Sequence, residues 1–203
     1  MNGVLYDVMI ALGERKVLGA LRRELLAPLW GEILEVGAGT GADFPYYGEQ
    51  AHVIALEPDR AMAVRAQPRA QRCAATIDLC IADDTTLAQF AAASMDAVVF
   101  PLVLCSLPEP AATLMQARRI LKASGTLVLL EHVRSDGMLG RIQDALTPAW
   151  RAVAGGCHLN RATRQLVHAA GFDTSALRTH RLPRLFLIRD LLFGYAYPAW
   201  EPA

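Results

Sequence analysis

Residues 33–41 read ILEVGAGTG, and this stretch decides the fold. Its first four residues are largely apolar, as in a parallel strand that is covered on both faces of a sheet. Gly37, Gly39 and Gly41 allow the backbone to turn sharply, to take positive φ angles and to approach a ligand with no Cβ in the way. The stretch therefore predicts a buried strand that runs into a turn able to hold a nucleotide-like ligand.

The spacing of the glycines narrows the choice of ligand. It is G-x-G-x-G, whereas the dinucleotide fingerprint is G-x-G-x-x-G, in which the third glycine serves helix packing. Glu35 stands two residues before the first glycine. Together these features indicate S-adenosylmethionine rather than a dinucleotide. A glycine triplet alone fits an ordinary strand-to-helix turn equally well, so the interpretation depends on the segments that follow.

Length and composition limit the classes of protein that fit. The chain has 203 residues, which predicts a single domain over residues 1–203. Hydrophobic residues make up 53% and the mean hydropathy is +0.25, yet no apolar run reaches the roughly 18–20 residues of a spanning helix. Twenty basic and 20 acidic residues cancel, so no net charge favours nucleic acid as a partner.

The N-terminal segment predicts a helix. Apolar residues recur over residues 4–29 at steps of three and four, with charged residues between them. Packing on the sheet is the favoured interpretation, and a helix on a membrane surface is the alternative. We expect residues 1–29 to form a helical lid, with Tyr6 or Asp7 near the amino-acid end of the cofactor. Asp7 and Glu14 interrupt the apolar positions, so the segment lacks the core of a signal peptide and a cytoplasmic location is expected.

The next two strands end in carboxylates. A strand over 52–57 ends at Glu57, followed by Pro58, and a glutamate there is placed to accept both ribose hydroxyls of the cofactor. A solvated strand-end glutamate is the alternative. A third strand over 77–81 precedes Asp83 and Asp84. Either carboxylate could accept from the adenine amine, or could cap the next turn.

The following segments complete the alternation. Residues 61–75 predict a helix that breaks near Pro68. A fourth strand over 95–100 leads into the apolar loop 101–108, which includes Leu102 and should line the site opposite the glycine turn. A helix over 110–122 and a fifth strand over 126–132 follow. Repeated strand–helix alternation predicts an α/β fold, a parallel sheet with helices on both faces.

The cysteines give no sign of a metal. Cys73, Cys80, Cys105 and Cys157 include no C-x-x-C pair, which argues against structural zinc and against a redox dithiol. We expect no bound metal, and we expect the cysteines to serve as small buried hydrophobes. Apolar surroundings should keep Cys105 and Cys157 unreactive by raising the pKa of their thiols.

Several motifs, taken together, resemble a known family. The stretches 35–41, 56–58, 100–107, 121–125 and 131–133 look like the successive motifs of class I S-adenosylmethionine-dependent methyltransferases. A finer resemblance, over roughly residues 28–197, is to the methyltransferase-like proteins of animals that methylate small thiols and to their bacterial relatives. It includes residues 102–106, 156–161 and 194–196.

The resemblance implies a Rossmann-like sandwich with a mostly parallel seven-stranded sheet whose last strand is antiparallel. Residues 176–182 and 191–197 can supply the last two strands, and a helix from near Asn160 to Gly171 precedes them. Residues 133–160 are expected to form an insertion on the acceptor side. The resemblance and the residue pattern together nominate the following cofactor-binding residues: Tyr6, Glu35, Gly37, Ala38, Gly39, Gly41, Glu57, Pro58, Asp83, Asp84 and Leu102.

Three departures from the animal proteins leave questions open. Those proteins begin with a hydrophobic membrane anchor that has no counterpart in residues 1–29, so peripheral membrane contact is left open. Pro101 and Asn160 stand where those proteins have threonines, so the choice of acceptor is left open as well. Nothing in the sequence predicts the oligomeric state.

The predicted reaction is methyl transfer from S-adenosylmethionine to a small, largely apolar acceptor, with S-adenosylhomocysteine as product. The loop 101–108 carries no base. A thiol with a pKa of about 8.5 is partly ionised at neutral pH, whereas a phenol near 10 needs a positioned base, so a thiol is favoured. His158 is a candidate general base or orienting donor, although a loop histidine is also a common structural group. A quinone or lipid methyltransferase and a non-catalytic S-adenosylmethionine-binding protein are the alternatives.

Overall fold

Helices and strands alternate along the chain, as the sequence predicts. A computed structural model describes residues 15–182 and 186–199. The helices are α1 (Arg15–Leu26), α2 (Arg60–Ala70), α3 (Pro110–Ile120), α4 (Gly137–Val153) and α5 (Thr163–Ala169). The strands are β1 (Gly31–Val36), β2 (Ala51–Leu56), β3 (Thr76–Cys80), β4 (Met95–Pro101), β5 (Leu121–His132), β6 (Phe172–Asp173), β7 (Arg178–Arg181) and β8 (Asp190–Pro198). Short 3₁₀ turns lie at Phe44–Tyr46, Asp84–Gln89 and Phe186–Ile188.

The strands form one mixed sheet. The order is β3-β2-β1-β4-β5-β8, and the neighbours from β3 to β5 are all parallel. Strand β8 pairs antiparallel with β5 on one side and with both β6 and β7 on the other. The predicted α/β fold with an antiparallel last strand is therefore confirmed. Strands β6 and β7 pair with opposite ends of β8 and therefore share one position beside it. The eight strands thus occupy seven positions across the sheet.

The central strands are buried on both faces. Ile33 contributes to the core between the sheet and α1, whereas its neighbour Leu34 faces the core on the side of α3. This is the arrangement that a continuous apolar run predicts for a parallel strand. The carboxyl ends of β1, β2, β4 and β5 consequently meet at one edge of the sheet, where ligands bind in open α/β folds.

Helix α1 is part of the core. Leu18, Leu21 and Leu25 are almost fully buried against the sheet. An ion pair also holds the helix, because Arg22 Nε donates to Asp43 Oδ1 at 2.6 Å. Residues 15–26 therefore follow the packed-helix interpretation of the sequence. The part of the predicted lid that contains Tyr6 lies outside the described residues.

Three boundaries differ from the sequence-based predictions. Helix α2 continues through Pro68, because that residue lies on the exposed face of the last turn, where water can satisfy the carbonyl that loses its partner. Helix α3 ends at Ile120, and β5 starts at Leu121, which pairs with Met95 before the register shifts. The helix expected to begin near Asn160 starts at Thr163.

Among the helices in the described ranges, none has the length and apolar character needed to cross a membrane.

Candidate active site

The glycine turn lies at the carboxyl end of β1, beside the point where the strand order reverses. Gly37, Gly39 and Gly41 all have positive φ angles, of 76°, 58° and 74°. The amides of Gly37 and Ala38 both donate to the Leu56 carbonyl at 2.9 Å, which fixes the turn against β2. The glycines thus adopt backbone conformations that other residues rarely take.

Two glycines of the turn have different surroundings. A Cβ at Gly37 would lie 2.4 Å from Val103 Cγ2, so this glycine allows the loop after β4 to pack against the turn. A Cβ at Gly39 would meet no atom within 4 Å. Gly39 is therefore the position in the turn where a ligand has room to approach the backbone.

Glu57 joins β2 to the glycine turn. Its Oε2 accepts from the Gly39 amide at 2.7 Å, and its Oε1 accepts from the Asp59 amide at 2.8 Å. The side chain is buried, and burial raises the pKa of its carboxyl group above the ordinary value. Each carboxylate oxygen can accept a second hydrogen bond, so the predicted ribose contact is compatible with this geometry. The neighbouring Pro58 is exposed.

The two candidate aspartates differ in their contacts. Asp83 Oδ1 accepts from the backbone amide of Thr85 at 3.0 Å and from its hydroxyl, so this side chain caps the 3₁₀ turn that follows. Asp84 accepts from the hydroxyl of Thr113 on α3. Asp83 thus caps the next turn, which is the alternative that the sequence left open. An adenine contact by Asp83 or Asp84 stays a prediction.

The loop after β4 is held by a buried carboxylate at the end of β5. Glu131 Oε1 accepts from the amides of Val103 at 2.7 Å and Leu104 at 2.8 Å. Leu102 has a positive φ of 59°, an uncommon value for a residue with a side chain, and its amide donates to Leu130 O at 2.7 Å. The loop opposite the glycine turn therefore has a defined and strained backbone.

Sequence reasoning missed Arg69, which supports the glycine turn from outside. Its Nη1 donates to the hydroxyl of Thr40 at 2.8 Å and also to the Thr40 carbonyl. No motif marks this arginine, because its contact depends on how α2 packs against the turn.

Glu35 lies beneath the turn in a buried polar network. Its side chain is 0% exposed, and its Oε2 accepts from the hydroxyl of Tyr47 at 2.6 Å. Burial, and secondly the charge of Asp43, raises the pKa of Glu35 to about 8. In the described structure Glu35 therefore belongs to a buried network with Tyr47, and direct cofactor contact by this residue stays a prediction.

The prediction that the pKa values of both Cys105 and Cys157 are raised is wrong for Cys157. A hydrogen bond from Cys105 holds the pKa of the Cys157 thiol below its ordinary value. His132 Nε2, 3.1 Å from Cys157 Sγ, acts in the same direction. The thiol of Cys105 follows the prediction, since its pKa is raised by the hydrogen bond with Cys157 and by burial.

His158 lies on the same side of the site. Its backbone amide donates to Cys105 O at 2.8 Å, and its side chain is half-buried. Burial and the nearby charges of Arg161 and Arg151 lower the pKa of its imidazole. This shift favours the neutral ring, the form that a general base requires, and a catalytic role for His158 stays a prediction.

Comparison with known proteins places this geometry in a family. Residues 34–129, which run from within β1 through the glycine turn into β5, match the family described as "Methyltransferase domain". The chain is 34% identical over 153 residues to thiol S-methyltransferase TMT1B of Rattus norvegicus, covering 70% of this chain and 59% of that protein. It is 28% identical over 205 residues to thiol S-methyltransferase TMT1A of Homo sapiens, covering 95% of this chain and 81% of that protein. The chain belongs to the class I S-adenosylmethionine-dependent methyltransferases.

A solved structure supports the fold of this methyltransferase. The 1,6-didemethyltoxoflavin-N1-methyltransferase of Burkholderia thailandensis, solved with bound 1,6-didemethyltoxoflavin and S-adenosylhomocysteine, has a TM-score of 0.66 and 19% identity. The similarity covers 96% of this chain and 82% of that one. S-adenosylmethionine is the cofactor of the family, and the described residues fit it. A Cβ at Gly39 would meet no atom within 4 Å, and the buried carboxylate of Glu57 accepts from the Gly39 amide beside that open space.

The raised pKa of Glu35 predicts how the stability of this methyltransferase depends on pH. Between the ordinary pKa of 4.5 and the folded value of about 8, the folded protein keeps a proton that the unfolded chain releases. Its stability therefore falls as pH rises through this range, by up to about 1.4 kcal/mol per unit. The variant Glu35→Gln should lose this dependence while its amide oxygen still accepts from Tyr47.

Urea unfolding of both proteins between pH 5 and pH 8 measures this effect. The stability of Glu35→Gln relative to the wild type should increase steadily with pH. The exposed Glu49 provides the control, since Glu49→Gln should follow the wild type throughout. A constant difference between Glu35→Gln and the wild type would contradict the assignment.

Proposed function

We propose that this methyltransferase transfers the methyl group of S-adenosylmethionine to the sulfur of a small, largely apolar thiol. The observation that carries the proposal is the similarity to proteins named thiol S-methyltransferase, which extends over 95% of this chain in one case. The chain spans only 59% of the length of the TMT1B relative. A thiol acceptor is therefore a proposal for this chain, and it is tested below.

The cofactor half of the site is built by the glycine turn and Glu57. The turn brings backbone amides close to the ligand, and the carboxylate offers acceptors to a ribose. When bound, S-adenosylmethionine supplies a methyl group on a positively charged sulfur, which is already electrophilic. The protein therefore needs to contribute alignment and exclusion of water more than covalent chemistry.

The acceptor half is proposed to lie between the loop after β4 and the segment that follows α4. Leu104 and Leu107 are buried in the loop, and Arg161 fixes it by donating to the carbonyls of Cys105 at 3.2 Å and Leu107 at 2.9 Å. The half-buried Leu102 and Val103 of this loop are apolar as well, and an apolar lining favours an acceptor that carries little charge except at its reacting atom. A thiolate next to a sulfonium fits that requirement, because the two charges cancel as the bond forms.

The test is a survey of acceptors with the purified protein. Alkyl thiols, quinols, amines and phosphatidylethanolamine vesicles are incubated with S-adenosylmethionine, and S-adenosylhomocysteine and the methylated product are measured by mass spectrometry. We expect S-methyl thioethers from the alkyl thiols, and no product from the other acceptors. Methylation of a quinol or of the lipid with none of any thiol would contradict the proposal and favour the alternative acceptor classes.

A further inference from the structure

Three potential metal ligands from separate segments converge at the acceptor side of the site. Cys105 belongs to the loop after β4, His132 is the last residue of β5, and Cys157 follows α4. One ligand atom of each lies within 4.8 Å of the other two. His132 Nε2 is 3.1 Å from Cys157 Sγ. The cluster is not a local sequence motif, since β5 and α4 separate its members along the chain.

The surroundings keep these groups in place, and they shield two of the three from water, whereas Cys157 is half-buried. Cys105 is 3% exposed and His132 is 4% exposed. The His158 amide and the Arg161 guanidinium both donate to the carbonyl of Cys105, which fixes the backbone on that side.

The chemistry of the donors selects the ion. Thiolate and imidazole ligands favour zinc over magnesium or calcium, which prefer oxygen. Structural zinc sites have four protein ligands, whereas three protein ligands with one open position are typical of catalytic zinc. Among the described residues, Cys105, His132 and Cys157 supply three protein ligands to this position.

We propose that Cys105, His132 and Cys157 bind Zn²⁺ and leave a fourth position at which the acceptor thiol binds through its sulfur. The metal assignment stands by itself, and the role of the fourth position rests on the proposed function. The loop that carries Cys105 also packs Val103 against Gly37 of the cofactor turn, so the metal would lie beside the cofactor half of the site.

The bound ion would replace a protein base. A thiol coordinated to zinc loses its proton to solvent at neutral pH. Its sulfur then forms a bond to the methyl carbon while the bond between that carbon and the sulfonium breaks. The electron pair of the broken bond stays on the sulfur of S-adenosylhomocysteine, and the neutral thioether, a weaker ligand, leaves the zinc.

Metal binding is tested first, without any methyl donor. The protein is prepared without a histidine tag in a non-thiol reductant, stripped with a chelator and titrated with Zn²⁺ against a competing dye. We expect one ion per chain, and a loss of affinity of more than about 100-fold in each of Cys105→Ser, His132→Gln and Cys157→Ser. Cys73→Ser is the matched control and should bind as the wild type, because Cys73 lies outside the cluster.

Folding of each variant is checked by its calorimetric affinity for S-adenosylhomocysteine, which should be retained. Co²⁺ provides a spectroscopic probe of geometry, and we expect the absorption of a tetrahedral thiolate complex that changes when an alkyl thiol is added. If the reduced protein binds no Zn²⁺, the assignment is overturned. This holds whether or not Cys105 and Cys157 form a disulfide when the protein is exposed to air. Equal affinity in the wild type and the three variants would overturn it too.

Measurements of turnover with and without zinc distinguish a failure of this inference from a failure of the proposed function. With zinc bound, kcat/KM for an alkyl thiol should stay constant well below the pKa of the free thiol, and after chelation it should follow the fraction of free thiolate. Thiol methylation that is unchanged by complete removal of metal would overturn the inference and leave the proposed function intact. Normal zinc binding without methylation of any thiol would refute the proposed function and leave the metal assignment intact.

Discussion

Replacement of Glu57 by alanine is expected to weaken the binding of S-adenosylhomocysteine by at least about 100-fold. The carboxylate is proposed to accept from two ribose hydroxyls, and a hydrogen bond to a charged group contributes about 1.5–3 kcal/mol. Two such bonds amount to at least about 3 kcal/mol, and each 1.4 kcal/mol corresponds to a tenfold change in affinity. The measurement is isothermal titration calorimetry of the purified variant.

The structure shows why a second variant is needed. Glu57 also accepts from the amides of Gly39 and Asp59, so alanine removes partners of the protein as well as of the ligand. Glu57→Gln keeps the shape and one acceptor oxygen, and should weaken binding less than alanine does while the turn remains formed. Glu49→Ala, at an exposed glutamate, is the control and should leave affinity unchanged. Wild-type affinity in a folded Glu57→Ala protein would remove the ribose assignment.

The fold could be predicted from the sequence where its signal is local and repeated. Strands buried on both faces need continuous apolar runs, and β1, β2 and β4 appear within a residue or two of the predicted positions. The start of β5 was missed because Leu121 enters the sheet through an irregular pairing with Met95, which its sequence pattern does not reveal. Likewise, β6 has two residues and depends entirely on β8 for its pairing.

The geometry of the proposed cofactor half was predictable for the same reason. The turn and Glu57 lie at fixed distances along the chain from strands that are easy to recognise, and the topology brings them together. The environment of Glu35 was not predictable, because the acid is surrounded by Tyr47 and by the Arg22–Asp43 pair, which reach it only through packing.

The proposed acceptor half shows most clearly where prediction from the sequence fails. The absence of a C-x-x-C pair led to the expectation that no metal binds, and that rule detects only ligands that are close in sequence. Cys105, His132 and Cys157 are instead assembled by the parallel order of β4 and β5 and by the return of the chain after α4. Spacing rules cannot find a cluster of this kind, since its members share an edge of the sheet rather than a segment.

Glu131 holds the loop that connects the two halves, and its removal should have the largest effect on stability. The side chain is 0% exposed, and a single oxygen accepts from the amides of both Val103 and Leu104. In Glu131→Ala these amides lose their partner, and each buried unsatisfied group costs about 1–3 kcal/mol. We therefore expect the free energy of unfolding to fall by about 2–6 kcal/mol, measured by urea denaturation.

Glu131→Gln separates the hydrogen bonds from the charge. Its amide oxygen can replace Oε1 as the acceptor for both backbone amides, so its loss of stability should be much smaller than that of Glu131→Ala. Burial raises the pKa of Glu131 to about 7, so the glutamine variant should gain stability relative to the wild type as pH rises from 5 to 8. Equal stability of the alanine and glutamine variants at pH 7 would mean that the two amides do not depend on this side chain. In that case the strained backbone at Leu102 would have to be held by the Leu130 carbonyl and the packing of Val103 on Gly37 alone.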